Sequence, residues 1–209
     1  MNRTLQSAKA GMARIYRRQA DWWHVNRDRS LRETKWIDRF VEQLPDQARI
    51  LDLGCGTGDP LSHYLSSCGF SVVGVDASPS MIHLARTAAP SGDWHVADMR
   101  DLPDLGSFHG IMSWDAFFHL SPDEQRAVMP DLCQTVRPGG ALLMTVGSDE
   151  GETDGWVNGE AVYHGSLSQK GYHNILGRHG FADITFVPND SDVGGRCVLL
   201  ATGRNVARA

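Results

Sequence analysis

The sequence predicts an α/β fold, a doubly wound and mainly parallel sheet carrying an N-terminal helical cap. Three observations predict it. After residue 48, short apolar runs alternate with stretches that open on helix caps, the pattern of parallel strands joined by crossover helices. The first run feeds a glycine turn and a helix start, Arg49-Ile-Leu-Asp-Leu-Gly-Cys-Gly-Thr-Gly-Asp-Pro60. The length of 209 residues suits one such domain with a sizeable core.

Taken in order, residues 1–45 read as a helical arm or lid and 46–209 as the core. Within the arm, Trp36, Ile37, Phe40, Val41 and Leu44 recur at helical spacing, stop at Pro45 and predict a helix packed on the sheet. Ile50–Leu53 is a strand, and 60–68 a helix with Asp59 able to cap it and Pro60 suited to its first position. Ser71–Val75 is the next strand, and Ser78-Pro79 opens a helix through Ile82 and Ala85. Trp94–Ala97 and Gly110–Trp114 follow as strands. Ser121-Pro122, with Glu124 three residues after the serine, is a capping box for a helix to 136. Arg137 to Gly140 turns into the strand Ala141–Val146. Residues 147–166 read as a lid loop, since Gly147–Gly159 is polar, Gly-rich and holds four acids. Ser168–His179 is a helix stopped by Gly180, and Phe181–Val187 with Arg196–Ala201 an antiparallel edge hairpin.

Composition narrows the classes. The absence of an eighteen-residue apolar run and of a signal-peptide pattern predicts a cytoplasmic protein without membrane association. The four cysteines form no CxxC pair, and the nine histidines show neither HxxxH nor HExxH, so neither a metal site nor a disulfide framework is expected. Residues 1–35 hold nine basic side chains against three acids, a charge of +6; the remainder holds 11 against 22, or −11. Such an arm either holds an anionic substrate or packs on the acidic body.

The glycine turn is the strongest chemical signal. Gly54, Gly56 and Gly58 allow a ligand close to the backbone, with a helix N-terminus behind them. The turn lacks the third glycine of a dinucleotide fingerprint and the Lys of a P-loop, which suits a ligand without phosphates. Asp76 ends the second strand, eighteen residues beyond Gly58, where it can accept from both hydroxyls of a ribose. Asp98 follows the third strand and can accept from an exocyclic amine, with Met99 offering an apolar contact to a purine. Singly, Asp76 could cap the Ser78 helix and Asp98 turn a loop. In this order at strand ends they read as one ligand site.

The runs ILDLGCGTG, VVGVDASPSMI, VADM, WDAFFHL and RPGGALLMTV resemble those of class I S-adenosylmethionine-dependent methyltransferases over residues 49–146. The resemblance implies their seven-stranded Rossmann-like sheet, S-adenosyl-L-methionine as cofactor and S-adenosyl-L-homocysteine as product. It further implies that Gly54, Cys55, Gly56 and Gly58 meet the methionine part while Asp52 anchors the loop and the amino group. Asp76 would hold the ribose, Ala77 and Met81 flank the adenosine, and Asp98 with Met99 meet the adenine. Trp114 would line the pocket after the fourth strand, and Asp115 would hold the cofactor or orient a substrate amine.

Methyl transfer from a sulfonium is an in-line displacement that needs positioning more than catalytic groups. A base, where one is used, is expected from His119, from His164, or from Tyr16 in the arm, which in similar enzymes folds over the cofactor. Trp114, Phe117 and Phe118 would form an aromatic acceptor pocket, anchored by Asp115 and the two histidines. The acidic charge and the lack of a separate basic domain argue against a nucleic-acid partner. A small-molecule acceptor is the reading. Aminocarboxypropyl transfer or cyclisation with the same cofactor, a non-catalytic cofactor-binding protein, and an RNA methyltransferase are the alternatives. Neither the oligomeric state nor the acceptor is legible.

Overall fold

In the computed structural model, residues 3–205 are described. Strands β1 (Arg49–Leu53), β2 (Ser71–Asp76), β3 (Asp93–Val96), β4 (Phe108–Ser113) and β5 (Val136–Val146) are parallel. Two later strands, β8 (Asp183–Asp190) and β9 (Arg196–Thr202), complete the sheet in the order β3-β2-β1-β4-β5-β9-β8, with β9 antiparallel to both neighbours. The expected doubly wound, mainly parallel seven-stranded sheet is therefore present. Its strand order reverses between β1 and β4, the crevice where open α/β sheets bind ligands.

Both faces of the central strands are covered, which is why they read as unbroken apolar runs. One face packs Leu51, Leu53, Val73 and Met144 with helices α6 (Pro122–Thr135) and α7 (Gln169–Arg178). The other packs Ile50, Met112 and Leu143 with α3 (Thr34–Val41) and α4 (Leu61–Ser67). Trp36 and Phe40 of α3 are fully buried there, contributing about 2–3 kcal/mol each. Gly110 of β4 admits α3 this closely, since a Cβ there would lie 2.4 Å from the Phe40 ring. The helix starts follow their serines. Ser78 accepts from the Met81 amide at the head of α5 (Pro79–Ala88), Ser121 and Glu124 form the complete capping box of α6, and Ser168 caps α7.

Two local expectations are corrected. Asp59 does not cap α4: that helix begins at Leu61 behind Pro60, and the Asp59 carboxylate is held by Arg29 of the arm at 2.6 Å. The lid loop at 147–166 is in large part a β-hairpin, β6 (Gly151–Val157) with β7 (Glu160–Ser166). Its turn is Asn158-Gly159, with φ of 46° and 77°, the paired left-handed conformation that closes tight hairpins. Glycines and acids along β6 mask that alternation. The arm itself contributes α1 (Arg3–Lys9) and α2 (Met12–Asn26), and α2 lies against α5 and β7. Among the described residues, no helix is long and apolar enough to cross a membrane, and no group of three metal-ligating side chains assembles.

Candidate functional site

The glycine turn sits at the carboxyl end of β1, tied to β2 by the Gly54 and Cys55 amides, which donate to the Val75 carbonyl at 2.7 and 3.0 Å. Gly54, Gly56 and Gly58 take φ of 78°, 56° and 73°, a left-handed path that only glycine follows without strain. At Gly54 space is also decisive, because a Cβ would fall 2.2 Å from that of Ala116. Asp76 clasps this turn to the next helix: its carboxylate accepts from the Gly56 amide at 3.0 Å and the Ser78 amide at 2.7 Å. Burial pushes its carboxyl up to about 6, against those two amide bonds, which favour the charged form. Asp52 is buried beneath the turn and accepts from the Ser62 hydroxyl; burial pushes it up to about 7. Neither carboxylate forms an ion pair among the described residues.

These groups face a cavity of about 1100 Å³, counted out to its mouth. The twelve residues that the sequence assigns to the cofactor, Asp52 to Asp115, all line it, and so do Tyr16 and His119. Two of the twelve have their charge engaged elsewhere. Asp98 is gripped by Arg100, with Nε donating at 2.8 Å and Nη2 at 2.5 Å, which holds its carboxyl below the usual range. Asp115 takes a left-handed φ of 55° and is clamped by Arg196, both of whose contacts measure 2.7 Å. Trp114, 5% exposed, leaves its indole N–H without a partner among the described residues.

The three side chains that the sequence offers as bases come from the arm, the β4–α6 connection and the hairpin, and they meet. His119 Nδ1 lies 2.8 Å from the Tyr163 carbonyl, which can only accept, so Nδ1 carries the proton. Nε2 is then the acceptor for the Tyr16 hydroxyl, 2.9 Å away. Burial drives the His119 imidazole down to about 4 and raises the Tyr16 phenol well above its ordinary range, so both are neutral across physiological pH. The His164 ring stands 5.3 Å from that of His119 and 4.6 Å from Phe118, and it does not line the first cavity. It faces a second cavity, of about 1520 Å³, which shares Tyr16, Trp23 and Asp115 with the first.

A family model described as a methyltransferase domain matches residues 50–140. That match runs from β1 into β5. The chain's fold is shared by a 1,6-didemethyltoxoflavin N1-methyltransferase from Burkholderia thailandensis, solved with bound 1,6-didemethyltoxoflavin and S-adenosylhomocysteine, at TM-score 0.71 and 18% identity over 98% of this chain and 92% of that one. A S-adenosylmethionine-bound amino pentose methyltransferase from Micromonospora echinaspora superposes at 0.68, with 20% identity over 88% and 95%. In sequence, 128 residues are 27% identical to a dTDP-3-amino-3,4,6-trideoxy-α-D-glucopyranose N,N-dimethyltransferase of Streptomyces venezuelae, covering 60% of this chain and 54% of that protein. A trans-aconitate 2-methyltransferase of Azoarcus is 35% identical over 107 residues, 48% of this chain and 40% of that one. The matched stretch thus spans about half the length of these curated relatives.

The candidate site also holds residues that sequence reading misses. Trp23 of α2 covers the glycine turn, with its indole nitrogen 3.8 Å from where a Gly56 Cβ would stand. Arg27 pairs with buried Glu33 at 2.9 Å and lies 3.8 Å from Asp115, so the arm, the segment after β4 and β9 meet in one ionic cluster with Arg196. The recurrence of Met12, Ile15, Tyr16, Gln19 and Trp23 along α2 is the available signal for the arm's inner face. Nothing local in the sequence pairs Asp115 with a residue 81 positions away. The arm's cations go to the body's acids, as in Arg18–Glu160, Arg29–Asp59 and Lys35–Asp192.

Proposed function

We propose that the chain binds S-adenosylmethionine in the first cavity and transfers its methyl group to a small-molecule acceptor. The observation that carries the reading is the pair of buried carboxylates, Asp52 and Asp76, facing the cavity beside the glycine turn, neither of them in an ion pair among the described residues and only Asp52 eased by the more distant charge of Arg27. Such a wall suits a positively charged ligand that also offers hydroxyl donors, and the glycine turn holds no phosphate-binding Lys. When bound, the cofactor supplies a methyl group already activated by its sulfonium.

The chain's own residues then position. Asp76, with a lone pair left on each oxygen, accepts from the ribose hydroxyls, and Ala77 and Met81 flank the adenosine. Asp98 and Met99 are assigned to the adenine; Arg100 and the adenine amine then share the Asp98 carboxylate. Asp52, Gly54, Cys55, Gly56 and Gly58 hold the methionine end, and Trp114 with Asp115 closes the far side. His119 is a positioning residue: its proton sits on Nδ1 and its Nε2 takes the Tyr16 hydrogen, so Tyr16 turns an oxygen lone pair toward the junction of the two cavities. His164 is the free imidazole.

Calorimetry with S-adenosylhomocysteine tests this. The wild-type chain is expected to bind at micromolar levels and Asp76→Ala to lose binding while keeping its circular dichroism. An unchanged affinity in the variant would overturn the ribose assignment. The sulfur product made from labelled cofactor separates methyl transfer from the aminocarboxypropyl reading: S-adenosylhomocysteine for the first, methylthioadenosine for the second.

A further inference from the structure

The second cavity is bounded by the β6–β7 hairpin, the end of β5 and the turn before β9. The two cavities share Tyr16, Trp23 and Asp115, so they adjoin at those side chains. Its walls are aromatic where Phe118, Trp156, Trp23 and Tyr16 line it. Its charge is lopsided. Asp115, Asp149, Glu150 and Glu152 line it against a single cation, Arg196, which is already committed to Asp115. Glu150 is bridged to Arg126 and Glu152 lies 3.9 Å from Lys9, whereas Asp149 has no ion-pair partner among the described residues. Asp149 is also close enough for its charge to act on the buried Cys197 thiol, which lines the same cavity.

His164 is built into this cavity by its neighbour across the hairpin. A Cβ on Gly155 would lie 2.4 Å from the His164 ring, so the glycine makes the room in which the imidazole stands. Its ring nitrogens have no hydrogen-bond partner among the described residues, and it feels the charges of Asp115 and Asp154. Burial nonetheless holds it neutral at physiological pH.

Resting on the methyl-transfer reading, we propose that this second cavity is the acceptor site and that it takes an amine, cationic in solution and carried on a ring or other flat apolar frame. Aromatic faces attract such a cation, and the unbalanced acids concentrate it while repelling carboxylates and phosphates. In the step itself the ammonium first gives its proton to His164, which passes it on to solvent. The freed nitrogen lone pair then forms the new N–C bond as the S–C bond breaks with its pair left on sulfur. One ammonium and one sulfonium thus give one N-methylammonium, one thioether and one proton.

The experiment incubates the full chain with methyl-labelled S-adenosylmethionine and a metabolite extract separated by ion exchange into cationic, neutral and anionic fractions. Label is expected in products of the cationic fraction. Label confined to the neutral or anionic fraction overturns the proposal, as does absence of transfer by protein that binds S-adenosylhomocysteine normally. Failure to bind the cofactor would instead overturn the methyl-transfer reading itself. For the labelled acceptor, Asp149→Asn is expected to raise KM about fivefold without changing the affinity for S-adenosylhomocysteine. Gly155→Ala is expected to lower kcat and to shift its pH profile by displacing the imidazole; unchanged KM in the first variant and an unmoved profile in the second would also refute the assignment.

Discussion

Asp52→Asn isolates the energetic weight of one buried charge. Asp52 is 3% exposed, and its one hydrogen bond comes from the Ser62 hydroxyl, which an amide oxygen can equally accept. The folded carboxyl is pushed up to about 7, first by desolvation and then by nearby Asp76, with the Ser62 bond and the Arg27 charge opposing. Because the folded value is raised, protonated Asp52 contributes stability that is full below about pH 4 and is lost as pH rises to about 7. The rise from about 4 to about 7 corresponds to about 4 kcal/mol, and we expect about half to survive the relaxation of the site. A neutral amide at this position carries no such penalty. The variant should therefore exceed wild type by about 2 kcal/mol at pH 8, or roughly 4–8 °C in Tm, and match it near pH 4. Urea melts of the ligand-free chain at both pH values read this directly. A variant that is less stable at pH 8, or whose gain is the same at both, would refute the buried-charge argument. The same substitution should weaken S-adenosylhomocysteine binding, so stability and affinity move in opposite directions.

Gly54→Ala combines a left-handed φ with a 2.2 Å approach to the Ala116 Cβ, and should cost at least about 2 kcal/mol in a denaturant melt and abolish cofactor binding by calorimetry. Tyr16→Phe leaves His119 Nε2 without its donor, which should cost about 1–2 kcal/mol and lower kcat more than cofactor affinity. With His119 down at about 4, turnover should show no His119 limb between pH 5 and 8, which a pH–rate profile checks. Arg196→Met strands the Asp115 carboxylate, and about 2–3 kcal/mol should be lost in a denaturant melt, with Arg27 at 3.8 Å offsetting part of the bare charge.

Legibility of this chain follows the range of each interaction. Strands buried on both faces, the serine caps and the left-handed glycines are dictated within a few residues, so Ser78, Ser121–Glu124, Ser168 and the 54–58 turn are readable from local chemistry. The 151–166 hairpin is also local, but its Asn-Gly turn is outweighed by an acid- and glycine-rich first strand. Asp59 misleads because Arg29, thirty residues away, competes for its carboxylate. The site's ionic cluster is illegible for the same reason, since Arg27, Glu33, Asp115 and Arg196 meet only once arm, sheet and edge hairpin are in place.

Tyr16 and Trp23 are seven residues apart, two turns of one helix, and both stand in both cavities. A single displacement of α2 would therefore expose the proposed donor and acceptor sites together. On the proposed reading, turnover would be gated as a unit, with cofactor and acceptor exchange rising and falling together. Because ion pairs such as Arg18–Glu160 and Arg29–Asp59 hold that helix and its end to the body, added salt should raise both exchange rates in parallel.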